Sequence, residues 1–305
     1  MPIGTDMGWN IQQISKDTIK DIETLYLAVY GRKPATNNYQ HKFLTGYTGV
    51  EYSGFIAYSE EGRPVASLCI IPSFISYEGN RLLAAQLVDG MTDPAFRKRG
   101  LAGLLEDEIN AFAKENKFQV LFTFPNEEAY PVWTRKGWRM TEMMERFMIP
   151  VPRTMKWYIS SLMKRSLGKK VPGIEQEDCH NSVFADGFAG IDRSKEYFQY
   201  KSFTYTKVLV NNGDKAWIKS GHNLAIGDME VTEDGFDAIL KKIKAIAQQT
   251  GARKLFFQSS KGTGLHRLFS QRYKAEPSFP VLFKVFEEGV EVEKIRFTFA
   301  DLDIF

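Results

Sequence analysis

The chain has 305 residues, 43% of them hydrophobic and 25% charged, with a formal net charge of +3. That length exceeds one typical core and predicts two domains of an ordinary globular protein. The small net charge gives no argument for a nucleic-acid partner, and two distant cysteines, Cys69 and Cys179, give neither a disulfide framework nor a metal cluster.

The opening M-P-I-G-T-D-M-G lacks the charged start and apolar run of a signal peptide. The longest nearly apolar stretch, Leu68 to Ile75, is far short of the ~20 residues that cross a bilayer. A cytoplasmic enzyme or binding protein is therefore expected. Residues 8–16 predict a strand and 17–30 a helix, with Ile19, Ile22, Leu25, Tyr26 and Val29 on one face. Tyr39 to Leu44 reads as a short helix. G-F-I-A-Y-S and P-V-A-S-L-C-I-I, joined by E-E-G-R, give a hairpin signal. A second strand pair follows, F-I-S-Y and L-L-A-A-Q-L-V-D-G-M around the turn E-G-N-R. From Leu101, the positions Leu104, Leu105, Ile109 and Phe112 fall at helical spacing. F-Q-V-L-F-T-F predicts a central strand, and P-N-E-E-A-Y-P-V-W-T-R-K-G-W a short helix ended by Gly137 before a return strand.

The second half repeats the helix, strand, helix and strand: D-A-I-L-K-K-I-K-A-I-A-Q-Q-T-G, K-L-F-F-Q-S, T-G-L-H-R-L-F-S-Q-R-Y and F-P-V-L-F-K-V-F. Leu121-Phe122 and Phe256-Phe257 occupy corresponding places in this degenerate duplicate. Where the first copy has a basic glycine loop, the second has V-T-E-D-G, an ordinary helix cap. Residues 151–170 carry six cations and no acids, with Met155, Tyr158, Ile159, Leu162 and Met163 on one helical face. This reads as a connecting helix docked on a domain, the alternative being a membrane-surface contact with Trp157 at the interface. The expected class is α/β, with domains at 1–148 and 196–305 and a connecting segment at 149–195.

One stretch opposes its own local stability. D-P-A-F-R-K-R-G-L-A-G-L-L, residues 93–105, sets Gly100 and Gly103 at a helix start, where each costs about 1 kcal/mol relative to alanine. It also sets Arg97, Lys98 and Arg99 at the helix end whose dipole prefers anions. A diphosphate ligand explains both choices. Amides without intrahelical partners bind it, glycines let it approach, and the cations neutralise it. A structural glycine is the competing explanation, because a G-x-x-G helix start alone is a weak signal.

The wider pattern is more specific. R-K-R-G-L-A matches, through Arg97, Gly100 and Ala102, the R/Q-x-x-G-x-G/A signature of the GNAT acyltransferase superfamily. N-E-E-A-Y-P-V-W-T-R-K-G-W resembles that superfamily's N-x-x-A-x-x-L-Y-x-K-x-G-F segment, and the intervening strand and helix are in order. The resemblance covers most of residues 8–148, and F-P-N, K-G-W and the internal repeat resemble a bacterial subgroup with a degenerate second GNAT-like domain. It implies a mixed, mostly antiparallel twisted sheet flanked by helices. It also implies transfer of an acyl group, usually acetyl, from acyl-coenzyme A to an amine of a small-molecule or sugar acceptor, by direct attack in a ternary complex without a metal. On this resemblance the amides from Arg99 through Gly100, Leu101 and Ala102 to Gly103 hold the pyrophosphate. Met91, Thr92 and Asp93 form the splayed strand end that pairs with the pantetheine and polarises the thioester, and Asn126 bonds the pantetheine arm.

Asp89 is the candidate base. It lies in the apolar run L-V-D-G-M that leads to the thioester, where a carboxylate suits proton abstraction near neutrality, although a structural hydrogen bond would also place it there. Where the superfamily commonly has a tyrosine that protonates the leaving thiolate, this sequence has Trp133, whose indole only donates a hydrogen bond. Tyr130, one turn earlier, is the substitute candidate, or else a rim aromatic. Some multi-copy relatives use their terminal carboxylate as base, which makes Phe305 a further candidate. Asp178-Cys179-His180 lacks zinc-site spacing and reads as loop or core. Tyr39-Gln40-His41-Lys42 and Tyr197-Phe198-Gln199-Tyr200-Lys201 read as equivalent elements, packing or lining an acceptor cleft. The rival functions are a Fem-type aminoacyltransferase, with paired GNAT-like domains but less need of a pyrophosphate loop, and a non-catalytic acyl-CoA sensor.

Overall fold

The computed structural model describes residues 9–34, 39–152, 174–175, 178–204 and 206–305. The first half runs β1 (Asn10–Gln13), α1 (Ile19–Tyr30), β2 (Gly54–Tyr58), β3 (Pro64–Tyr77), β4 (Asn80–Thr92), α2 (Leu101–Glu115), β5 (Val120–Thr123), α3 (Tyr130–Arg135) and β6 (Arg139–Pro150). Then come β7 (Ile174–Glu175), β8 (Gly190–Ile191), α4 (Lys195–Lys201), β9 (Thr206–Asn211), β10 (Asp214–Lys219) and β11 (Leu224–Glu230). The chain closes with α5 (Glu233–Thr250), β12 (Lys254–Ser259), α6 (Gly264–Ser270), β13 (Ala275–Val285) and a C-terminal tail. Most of the basic stretch at 151–170 lies outside the described residues. Among the described residues no helix is long and apolar enough to cross a membrane.

Sequence and structure differ first at β3, where two expected strands form one of 14 residues. Pro72 interrupts the apolar pattern but not the strand. On one side it pairs with Ala85 of β4. On the other it falls in a gap, since β2 stops at Cys69 and β8 begins at Ile75. A proline is tolerated where no neighbour needs its missing N–H. Tyr39–Phe43 is a 3-10 turn rather than an α-helix.

The strands form a single sheet in the order β1-β2-β3-β4-β5-β13-β6-β12-β11-β10-β9-β7, with β8 beside β3. Among the described strands only β4–β5 and β11–β12 pair in parallel, and these pairs are the matching parts of the sequence repeat. The fold is thus mixed and mostly antiparallel, with GNAT-like halves in tandem. The halves exchange strands at their junction. β13, from the end of the chain, pairs with β5 on one side and β6 on the other, while β6 pairs with β12. A buried ion pair fixes β13 to the first half: Lys284 Nζ lies 2.6 Å from Glu106 on α2, and Trp138 Nε1 donates to the same carboxylate at 2.9 Å. Lys136 also approaches this buried carboxylate, at 3.5 Å.

The tail is buried between the halves. The Phe305 ring packs on Trp217 and Phe299 and lies over Gly227 of β11, where any Cβ would collide with it. Arg193, with 1% of its side chain exposed, bonds Asp228 at 2.6 Å, Asp301 at 2.8 Å and Thr298 at 2.8 Å. Lys201 donates to the Leu302 carbonyl at 2.8 Å, and Lys219 to the Ile304 carbonyl at 2.9 Å and to a terminal carboxylate oxygen of Phe305 at 3.3 Å.

Candidate active site

The site begins with a defect in β4. Ser67 pairs with Met91 and Cys69 with Val88, so Asp89 and Gly90 together face the single residue Leu68. This is a β-bulge, and its first residue, Asp89, adopts φ 50°. Aspartate tolerates that left-handed conformation better than most residues. Ser67 Oγ pins the bulge by donating to the Asp89 carbonyl at 3.0 Å. On its other edge, β4 pairs with β5 only from Ala84 to Gln86. Thr123 Oγ makes the last link, to the Leu87 carbonyl at 3.0 Å. Beyond it the two strands part, and the β4 edge from Val88 to Met91 opens into a cleft.

That cleft has two connected parts. The outer part, 280 Å³, is lined by Met91, Thr92, Arg97, Ala102 and Val132, and the inner part, 270 Å³, by Gln86, Asp89, Phe124, Asp303 and Ile304. Tyr30, Leu68, Gly90, Asn126, Ala129 and Trp133 line both. Trp133 forms the floor, 6% exposed, and a Cβ on Gly90 would stand 3.6 Å from its ring and 3.2 Å from Leu68.

At the outer end, α2 starts at Gly100, whose φ of 80° explains why a glycine stands there. No side chain caps this helix, and its first turn carries no acid. The amides of Gly103 and Leu104 turn to the Gly100 carbonyl, while those of Leu101 and Ala102 have no acceptor among the described residues. Gly103 serves a further neighbour, since Lys136 lies across it and a Cβ would stand 3.1 Å from that side chain. Arg97 borders the cleft, with Nε 3.4 Å from the Thr92 carbonyl, and Arg99 lies over the Phe96 ring at 5.0 Å. Asp93 is buried, caps Ala95 at 2.9 Å and pairs with Arg63. These residues fit a diphosphate: two amides without acceptors, an uncapped helix start and a neighbouring guanidinium.

The second half lacks such a corner. At the matching start of α5, Asp214 accepts from the Thr232 amide at 3.2 Å, and any Cβ on Gly235 would collide with its carboxylate. Thr232 caps the helix, with Glu233 and Asp234 in its first turn. The chain's own carboxylates thus fill the place of an external anion.

At the inner end, Asp89 is joined by groups the sequence did not connect to it. Lys42 Nζ lies 2.9–3.0 Å from both Asp89 oxygens and 2.8 Å from Asp303, and Gln86 donates to the other Asp303 oxygen at 2.9 Å. Burial alone would drive the Lys42 ammonium down, but Asp303 and Asp89 together hold it above its ordinary pKa. Burial pushes the Asp303 carboxyl up, yet Lys42, helped by Lys201 and Gln86, keeps it below the usual carboxylate range. Two carboxylates around one ammonium give the cluster one net negative charge. The Tyr39 hydroxyl is buried beside Asp89, and burial together with that carboxylate raises its pKa. Tyr30 overhangs the cleft, its pKa raised by partial burial and by Asp89.

The other sequence candidates are distributed more widely. Asn126 accepts from the Ala129 amide at 2.9 Å, which leaves its amide nitrogen to the cleft. The Tyr130 hydroxyl reaches the Met140 sulfur at 3.3 Å and borders a second cleft that shares Asn126 and Phe279 with the inner part of the first. Phe305 contributes its ring to the core, while Leu302, Asp303 and Ile304 are the described tail residues that line the cleft, Asp303 with a carboxylate. Cys179 is a buried free thiol, and His180 pairs with Glu230 at 3.1 Å.

Residues 10–141 match the family described as an acetyltransferase (GNAT) domain. Among solved structures, a GCN5-related N-acetyltransferase from Kribbella flavida superposes with a TM-score of 0.59 at 12% identity, covering 91% of this chain and 71% of the other. One from Anabaena variabilis gives 0.57 at 12% identity over 91% and 72%. One from Sphaerobacter thermophilus gives 0.53 at 13% identity over 94% and 98%. No curated protein matches the sequence. Residues 10–141 thus match a GNAT acetyltransferase domain, in a chain whose fold over nearly its full length is similar to that of GNAT proteins.

Proposed function

We propose that the protein is an acyl-CoA-dependent N-acyltransferase that moves an acyl group, acetyl in the first instance, to an amine of a small-molecule or sugar acceptor. The observation that carries this reading is the continuity of the cleft, from the uncapped start of α2 to the Lys42–Asp89–Asp303 cluster. Acyl-CoA, when bound, supplies an activated thioester. The chain's own residues bind and orient it. Leu101 and Ala102 amides with Arg97 take the diphosphate, Asn126 and the free edge of β4 hold the pantetheine arm, and a β4 amide near Met91 polarises the thioester carbonyl. The acceptor enters beside Asp89, where the net negative charge favours a cationic amine. Asp89 takes one proton from the ammonium, the neutral nitrogen bonds to the acyl carbon as the C–S bond breaks, and the second N–H proton goes to the departing thiolate. A thiol whose ordinary pKa is about 8.5 leaves without a strong acid, which suits a site floored by Trp133. Residues 1–148 form the acyl-CoA-binding domain in this reading, and 196–305 a degenerate partner that supplies Asp303.

The test is calorimetric titration with free CoA and acetyl-CoA, followed by a thiol-release assay over a panel of amines. Binding with turnover supports the reading. Binding without thiol release from any amine would leave a sensor instead.

A further inference from the structure

A second opening adjoins the thioester end of the site. It measures 750 Å³ and lies between α3 and strands β6 and β13, lined chiefly by Tyr130, Met140, Met143, Pro277, Phe279 and Pro280. Pro125, Asn126 and Phe279 belong both to this opening and to the inner part of the cleft. The two spaces therefore meet where an acyl group would extend past the thioester.

The sequence P-S-F-P on the exchanged strand makes the opening. Pro277 faces Glu145 and Pro280 faces Met143, so three steps on β13 oppose two on β6 and the ladder bulges. Neither proline has an N–H with which to close it. Ser278 Oγ anchors the bulge by donating to Gln258 Oε1 at 2.6 Å, and Phe279 is left half-buried at the passage between the two spaces.

The polar atoms of the lining are largely engaged within the protein. Asn126 Oδ1 caps Ala129, Ser278 Oγ bonds Gln258, and the Tyr130 hydroxyl meets the Met140 sulfur. Besides the exposed Glu127, what remains is proline, phenylalanine and two methionines, one of which, Met140, is 37% exposed. Methionine is adaptable and fills irregular apolar space, which suits a flexible hydrocarbon better than a rigid polar acceptor.

We propose that the cleft between α3 and the β13 bulge is the binding site for the acyl chain of the donor, extending the donor range from acetyl to longer, hydrocarbon acyl groups. The inference rests on the acyl-CoA reading above and adds the class of acyl group. Full burial of one methylene tightens binding about fourfold, and burial in an open cleft gives about half that free energy, or twofold.

The test is calorimetric binding of free CoA and of acetyl-, butanoyl-, hexanoyl- and octanoyl-CoA to the full chain and to Met140→Glu and Met140→Leu, with thermal melts to check folding. The expected result is affinity rising about twofold per methylene in the parent and in Met140→Leu. In Met140→Glu the rise is lost while affinity for free CoA is kept. Affinity independent of chain length, with free CoA still bound, overturns the inference alone. A rise that survives Met140→Glu, or is lost equally in Met140→Leu, also overturns it, because the chain then lies elsewhere. Failure of free CoA itself to bind overturns the acyl-CoA reading, and the inference with it.

Discussion

Lys42 Nζ and Asp303 Oδ2 meet at 2.8 Å although 261 positions separate them in the sequence, and the same ammonium holds Asp89. One lysine of the first half thus ties the C-terminal tail to the β4 bulge. Lys42→Met would leave two buried carboxylates facing each other, and the expected loss is about 3–5 kcal/mol. Asp303→Asn removes one of them, so the double variant should be more stable than the sum of the single losses predicts, by about 0.5–3 kcal/mol. Urea denaturation of the four proteins measures this coupling. Strict additivity would show that the contact does not bind the tail to the site.

Asp89→Asn keeps the shape of the bulge but removes the proton acceptor. Turnover should fall by about 10²–10⁴-fold with CoA affinity unchanged. Turnover that survives in the variant would transfer the role of base to another group, with Asp303 the nearest candidate.

Much of the site was legible because its parts are local. The helix start at Gly100, the carboxylate of Asp89 in its apolar run and the turn around Asn126 each lie within a few residues of chain, where glycine, charge and apolar patterning can be read directly, whereas the bulge at Asp89-Gly90 shows only in the strand register. Lys42 lies in Tyr39-Gln40-His41-Lys42, a segment that the repeat marks as packing or lining an acceptor cleft, but nothing in those four residues foretells burial between two carboxylates. Asp303 was less accessible still. The D-L-D-I-F ending shows that the terminus can be buried, but which carboxylate reaches the cleft depends on the Phe305 ring settling over Gly227. The strand exchange was hidden for a related reason. The repeat predicts β13 correctly as a strand, but hydrophobic periodicity carries no information about which half a strand will join.

Gly100→Glu places a side chain and a negative charge where the diphosphate would lie, in a backbone conformation of φ 80° that disfavours any Cβ. Calorimetry should give one CoA per chain in the parent and none in the variant. The second half offers no reserve site, because Asp214 already occupies the start of α5. A stoichiometry of two, or unaltered binding by the variant, would contradict this account of both helix starts.

Lys201 carries a pH dependence of stability that can be isolated. Burial lowers its pKa from 10.5 to about 7, against opposing help from Asp303 and Asp301 and alongside the like charges of Lys219 and Arg193. Between those values the unfolded chain holds a proton on this lysine that the folded chain has released, so unfolding becomes less favourable as pH rises. Below pH 7 both states are protonated, and the folded protein bears the full cost of a buried ammonium. Lys201→Met removes that dependence, and at every pH it also loses the hydrogen bond to the Leu302 carbonyl. The stability of the parent relative to Lys201→Met should therefore increase by about 2–4 kcal/mol from pH 6 to pH 10. Urea unfolding of both proteins at several pH values tests the sign. A difference that stayed flat, or fell with rising pH, would mean that this amine keeps its proton in the folded state.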